Sequence, residues 1–292
     1  MRVGVTGASG FVGGAVCRAA AATGWEVQGF GRRASADLGG VPYLSWDLTG
    51  KDRPSLDLDV VIHCAGSVTD WGDPREIWRA NLDGTRAVLE TFPGARFVHV
   101  STASVYDPFR PTVMATEAQA PVRKYANAYG ASKAAAERAV MGRAVILRPH
   151  AVYGPGDPTL LPRVLKSVRG RWLVAVGDGR QRISLTSVDN LVQACLLAVS
   201  REPGVYNVTD AAPVVLDDAL RAILAERGIR ATPRYLPLSI ADPLAALSER
   251  FAKRPQLTRY AVGHLAVERT LDISAARRDL GYSPSETSFS GL

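Results

Sequence analysis

The chain has 292 residues, a formal net charge of +7, and 47% hydrophobic and 22% charged residues. That is enough for one large α/β domain with or without a smaller lobe, in the composition of an ordinary soluble globular protein. The positive charge is spread along the chain, with "VLKSVRGRW" (164–172) the one modest cluster and no nucleic-acid motif beside it, so no nucleic acid is expected as a partner and the charge reads mainly as solvated surface suited to anionic ligands.

In chain order, "MRVGVTG" is a short β-branched strand and "ASGFVGGAVCRAAAATG" a glycine turn leading into an alanine-rich helix that stops at Gly24. "WEVQGF" resumes as a strand. Further strands are expected at 41–46, 59–65, 96–101 and 143–149, with helices near 73–92 and 126–141. Nearly continuous apolar strands that alternate with helices define an α/β protein with a doubly wound parallel sheet. After Pro149 the texture turns Gly- and Pro-rich, but helix 188–199 and strand 204–208 have sheet-type character again, so a smaller lobe is expected to interleave with the first. A first strand at residue 2 or 3 leaves no room for a cleavable leader, and no uncharged run reaches bilayer length. Cys17, Cys64 and Cys195 are too few and scattered for a disulfide framework and form no CxxC pair for zinc. The expectation is therefore a cytoplasmic protein with no membrane insertion and no metal.

Three features carry chemistry. Gly7, Gly10 and Gly13 stand between a strand and a helix, where glycine allows a tight turn and close approach to a diphosphate. The amides at the helix start, including those of Phe11 and Val12, would meet its charge. At the end of the second strand, Arg32 and Arg33 follow Gly31 where a carboxylate would be expected for an NAD ribose. Guanidinium groups suit a 2′-phosphate, so NADP(H) is the expected cofactor, with NAD possible. Finally, "YANAYGASK" sets Tyr129 and Lys133 one helical turn apart. Beside a dinucleotide, Tyr129 can serve as general acid and base toward a hydroxyl or carbonyl, Lys133 would lower its pKa, and a hydroxyl at 102 would bond the same oxygen.

These segments, with "WDL", "VIHCAG", "NLDGTRAVLE", "VSTASVY", "LRPHAVYGPGD", "SLTSVDNLVQA", "GVYNVTD" and "DISAARRDLGYSP", resemble the extended short-chain dehydrogenases/reductases of the NAD-dependent epimerase/dehydratase superfamily almost end to end. The resemblance implies a Rossmann domain over 1–150 to which 185–208 return, and a substrate-binding region over 151–184 and 209–292. It implies Thr102, Tyr129 and Lys133 as the catalytic set, with Thr102 where many relatives have Ser, and Asn81 in support. It places Asp47 and Leu48 near the adenine, Ala65 and Gly66 along the cofactor, and Pro149 through Val152 near the nicotinamide. A homodimer through a helix pair is the family expectation. Sugar-nucleotide epimerases often have an RYFN-like segment where this chain has Arg148-Pro149-His150-Ala151, and the terminal segment is more similar to the 3β-hydroxysteroid dehydrogenase-like branch. Arg182, however, falls where epimerases hold a substrate diphosphate.

The expected activity is hydride transfer between nicotinamide and a secondary alcohol or ketone, with a small molecule as partner. A sugar-nucleotide epimerase or dehydratase is the alternative, and a non-catalytic NADP-sensing protein a third reading, disfavoured because Tyr129 and Lys133 are both kept. The four histidines, His63, His99, His150 and His264, lack metal-ligand spacing and read as satisfied core or sheet-end groups, with His150 alone placed near substrate. The apolar residues between 230 and 265 either cover the substrate or form the core of the smaller lobe.

Overall fold

The computed structural model describes residues 1–108, 110–252 and 258–292, excluding the side chains of residues 261, 264 and 265. Its centre is a seven-stranded, wholly parallel sheet. From one edge the strands run Gly204–Val208, Ala144–Pro149, Arg96–Val100, Val60–His63, Arg2–Thr6, Glu26–Gly31 and Tyr43–Ser45. The order reverses between Arg2–Thr6 and Val60–His63, and in such sheets ligands bind beyond the carboxyl ends of the strands at that switch point.

The strands are apolar throughout because both faces are covered; every residue of Val60–His63 and of Ala144–Pro149 is buried. Successive side chains alternate between the faces. Val3, Val5, Val60, Ile62, Val98, Val145 and Leu147 pack with Val16, Ala20, Leu191 and Cys195 of helices Phe11–Ala22 and Val188–Ala198. On the other face Phe30, Val61, Phe97 and Ile146 pack with Val88 of helix Gly84–Thr91 and Val140 of helix Ala128–Val140.

The helix expected over 73–92 is broken in a way that matters for the site. Asp73 caps Pro74–Trp78 by accepting from the Arg75 amide at 2.9 Å, after which Arg79–Asp83 is a π-helical turn before Gly84–Thr91 resumes. Widened turns of this kind occur often at functional sites, and this one puts the Asn81 side chain inside the protein, 1% exposed. The helix expected over 126–141 runs from Ala128 to Val140, capped by Asn127, whose side-chain Oδ1 accepts from the Gly130 amide at 3.0 Å.

A second core joins Tyr153, Leu161, Leu173, Ile183, Leu185, Leu220 and Phe289. Around it, strand Trp172–Val176 pairs parallel with Thr232–Leu236 and antiparallel with Val168–Arg169. Within 209–292, Ile273, Ala276, Leu280 and Tyr282 enter the main core, where their apolar side chains close the sheet face beside helix Val188–Ala198. No helix among the described residues is long and apolar enough to cross a membrane.

Candidate active site

The glycine turn forms a cradle against the sheet. Gly7 has φ +71°, a conformation natural to glycine, and a Cβ there would lie 2.8 Å from the Ala65 amide nitrogen. A Cβ on Gly13 would come within 2.3 Å of the Gly7 carbonyl oxygen, so helix and turn meet with no space for a side chain. Helix Phe11–Ala22 begins with Gly10 as its cap, without a side-chain hydrogen bond and without an acidic residue in its first turn. An anion is thus met by unshielded amides and a positive helix end, which fits a diphosphate. Phe11 and Val12 stand at this helix start, half-buried. Arg33 and Arg32 are both exposed; Arg33 donates from Nη1 to the Ser9 carbonyl at 2.9 Å and so leans onto the turn. Arg32 lies near Asp47, whose carboxyl is held below the usual range chiefly by hydrogen bonds from Thr49, with Arg79 and Arg32 adding to them. Leu48 is buried under the second face of the sheet.

Thr102, Tyr129 and Lys133 come together at the carboxyl end of Arg96–Val100. Thr102 is buried, caps a short 3₁₀ turn by accepting from the Ser104 amide at 3.1 Å, and is hydrogen-bonded to the Tyr129 phenol. Lys133 lies one turn further along the same helix, 5% exposed, and donates from Nζ to the Val100 carbonyl at 2.7 Å. Burial lowers its pKa to about 8, opposed chiefly by the Glu137 carboxylate, which raises it. Burial pushes the Tyr129 phenol up, opposed by the Thr102 hydrogen bond. The Lys133 ammonium is directed at the Val100 carbonyl.

Asn81 ties the loop at Ser67 to helix Ala128–Val140. Its Nδ2 donates to Ser132 Oγ at 2.9 Å and the Ser67 carbonyl at 3.2 Å, while Oδ1 accepts from the Ser67 amide at 2.7 Å. This leaves no room for a Cβ on Gly66, which would sit 2.8 Å from Asn81 Oδ1. Pro149 ends a fully buried strand, and Val152 pairs in register with Thr186.

His150 lines a small cavity with Ala103, Tyr106, Thr112, Arg269 and Leu271, and its Nδ1 is 2.6 Å from the Ser184 carbonyl. Burial lowers its pKa to about 4. Arg182 is exposed on a two-residue strand and donates to the Pro213 carbonyl at 3.3 Å. Of the histidines, His63 is satisfied by Thr6 at 2.7 Å and Thr85 at 3.0 Å. His99 corrects the expectation of a satisfied group: it stacks on His63 at 5.4 Å, and neither ring nitrogen has a hydrogen-bond partner among the described residues. The His264 side chain and residues 253–257, part of the expected apolar cover, lie outside the described residues. No group of metal-ligating side chains is found among the described residues.

Sequence reasoning missed three groups. Glu137 of helix Ala128–Val140 and Arg148 form a buried bidentate pair, signalled by an arginine inside the apolar strand "AVILRP". Tyr260 and Ser104 approach the Thr102 hydroxyl, and Asp70 bonds both Arg163 and Thr258.

A parallel sheet with this switch point, a glycine cradle and a Tyr–Lys helix define a nicotinamide-dependent enzyme of the short-chain dehydrogenase/reductase type. Residues 3–209 match the NAD dependent epimerase/dehydratase family, and the chain belongs to it. It is 35% identical, over all of its length and 95% of the relative's, to a 4-hydroxy-2-methyl-3-oxo-4-farnesyl-3,4-dihydroquinoline-1-oxide ketoreductase of Stigmatella aurantiaca. It is 29% identical, over 96% of its length and 81% of the relative's, to a 2-alkyl-3-oxoalkanoate reductase of Shewanella oneidensis. A UDP-glucuronic acid 4-epimerase from Bacillus cereus, solved with NAD, has the same fold: TM-score 0.76 at 23% identity, over 98% of this chain and 94% of that one.

Proposed function

We propose that this protein is an NADP(H)-dependent ketoreductase, interconverting a ketone and a secondary alcohol with Tyr129 as the proton-exchanging group. The observation that carries the reading is the Thr102–Tyr129 hydrogen bond with Lys133 one turn along, at the carboxyl end of the sheet. When bound, the nicotinamide supplies or accepts the hydride. In reduction the carbonyl carbon gains that hydride while Tyr129 gives its proton to the oxygen, and the Thr102 hydroxyl shares that oxygen and fixes its direction. A phenol raised by burial keeps its proton until the developing alkoxide, the stronger base, takes it.

The glycine turn and the start of helix Phe11–Ala22 would hold the diphosphate, and Arg33, assisted by Arg32, the 2′-phosphate. Two relatives named as reductases of oxo compounds support the net redox reading over epimerisation. So does Ala151, which stands where epimerases often have Asn. The setting is cytoplasmic, consistent with three free thiols, and a homodimer through a helix pair would be seen by sedimentation.

The test is Tyr129→Phe, assayed by cofactor absorbance with ketones and sugar nucleotides side by side. Turnover of ketones falls about 10²-fold or more while cofactor affinity stays nearly unchanged. Near-normal turnover removes Tyr129 from the mechanism. Sugar interconversion by the wild type without net cofactor change replaces the reading with an epimerase.

A further inference from the structure

Helix Arg259–Leu265 belongs to the C-terminal part of the chain, yet the Tyr260 hydroxyl lies 2.5 Å from Ser104 Oγ, two residues after Thr102. Ser104 Oγ in turn accepts from Thr102 Oγ1 at 3.1 Å, and Thr102 is bonded to Tyr129. Tyr129, Thr102, Ser104 and Tyr260 therefore present a continuous row of hydroxyls from three separate segments. The start of the helix, next to Tyr260, is fixed in turn: Thr258, 3% exposed, donates to Asp70 Oδ2 at 2.9 Å, while Arg163 Nη2 bonds Asp70 Oδ1 at 2.6 Å. Asp70 lies in the loop after Val60–His63, so the position of Tyr260 is set from the sheet side.

A packing role alone would be met by phenylalanine, and placing polar hydroxyls together away from water carries a desolvation cost that apolar packing avoids. We propose that Tyr260 and Ser104 are a second oxygen-binding pair, which selects ketones with a further oxygen function one or two carbons from the reacting carbonyl, as in a 3-oxo acid or ester. The assignment rests on the ketoreductase reading and names the substrate class for it. The step along the row is close to the separation of the two oxygens in a cisoid β-dicarbonyl. With the reacting oxygen between Tyr129 and Thr102, the second falls against Ser104 and Tyr260. Burial raises the Tyr260 pKa above that of an ordinary phenol, with Tyr129 acting in the same direction, so Tyr260 remains a donor. Ser104, donor and acceptor, can serve a carbonyl, a carboxylate or a hydroxyl.

The experiment compares wild type, Tyr260→Phe and Ser104→Ala with NADPH on two matched substrates, a 2-alkyl-3-oxo ester and the ketone of equal length lacking the ester group. Each variant should lose about tenfold or more in kcat/KM on the oxo ester, mostly through KM, and change less than about threefold on the plain ketone. Equal losses on both substrates would assign Tyr260 to positioning Thr102 and overturn the proposal, as would unchanged kinetics on both. If Ser104→Ala does not fold, Tyr260→Phe, which removes a single oxygen, decides alone. Wild type that reduces neither ketone overturns the ketoreductase reading itself, an outcome distinct from wild type that reduces both while the variants do not discriminate.

Discussion

Glu137→Gln tests the support beneath helix Ala128–Val140. The side chains of Glu137 and Arg148 are 0% and 1% exposed. The carboxylate accepts from Arg148 Nε at 3.0 Å, from Nη2 at 2.7 Å and from Ser101 Oγ at 2.5 Å. Glutamine keeps the shape but removes the charge and turns an amide NH₂ toward donors. Arg148 would then be left buried with the carbonyls of Glu117 and Ala120 and the Tyr106 hydroxyl as neutral partners. Breaking a buried pair in this way costs roughly 3–5 kcal/mol, a large share of the ~5–15 kcal/mol that holds a folded protein. The melting temperature should fall by about 10 °C. Replacing both partners with apolar residues, Glu137→Leu with Arg148→Met, should restore all but about 1 kcal/mol, since no lone charge remains. Urea melts of the three proteins, followed by circular dichroism, check both expectations. A single variant within about 1 kcal/mol of wild type, or a double variant as unstable as the single, would refute the reasoning. The substitution has a second effect, because the Glu137 charge supports the Lys133 ammonium that burial has lowered to about 8. Without it Lys133 loses its proton at lower pH, and the alkaline limb of ketone reduction shifts down.

In wild type, the rate of ketone reduction should decline above about pH 8 as Lys133 deprotonates, a limb that a pH profile locates. Stability runs the other way: the folded pKa of about 8 lies below the ordinary 10.5, so the contribution of Lys133 is fully present above the unfolded value and lost as pH falls toward 8, and melts of Lys133→Met should lack that slope. Arg33→Ala should weaken NADP(H) binding about tenfold and leave NAD(H) unchanged, as one charge-assisted contact is lost; equal affinity for both cofactors in wild type would show Arg33 to be a surface residue. Ala151 has φ +47°, a left-handed conformation unfavourable for alanine, so Ala151→Gly should stabilise by about 0.5–1 kcal/mol in denaturant melts, whereas a loss would mean that its methyl group packs for more than its strain costs.

Ala151 also illustrates what was legible in the sequence. The segment Arg148-Pro149-His150-Ala151 was noticeable for the asparagine it lacks, and the structure supplies the physical content of that difference, since asparagine tolerates positive φ better than alanine does. The sheet could be read because its strands are apolar on both faces, and the glycine turn because close backbone approach leaves few other residue types possible. The π turn at Arg79–Asp83 could not be read, since nothing in "RANLD" departs from helical character and the turn makes sense once Asn81 has Ser67 and Ser132 to bond. Nor could the pairing of Glu137 with Arg148, although an arginine within a buried strand must find an anion and the amphipathic helix before it was the nearest supplier.

Tyr260 was beyond reach for a different reason. It lies 156 residues from Ser104, on a seven-residue helix whose start is fixed by an aspartate 188 residues away from Thr258. The Tyr129–Lys133 pair sits on one helical turn, where spacing alone brings its members together, while the proposed second oxygen site needs Tyr260 brought to Ser104 across 156 residues. Chemistry was therefore readable from local pattern and selectivity was not, which is why the variants that separate the two, Tyr129→Phe for turnover and Tyr260→Phe for preference, should differ in kind: the first lowers kcat on every ketone, the second raises KM on those with a second oxygen.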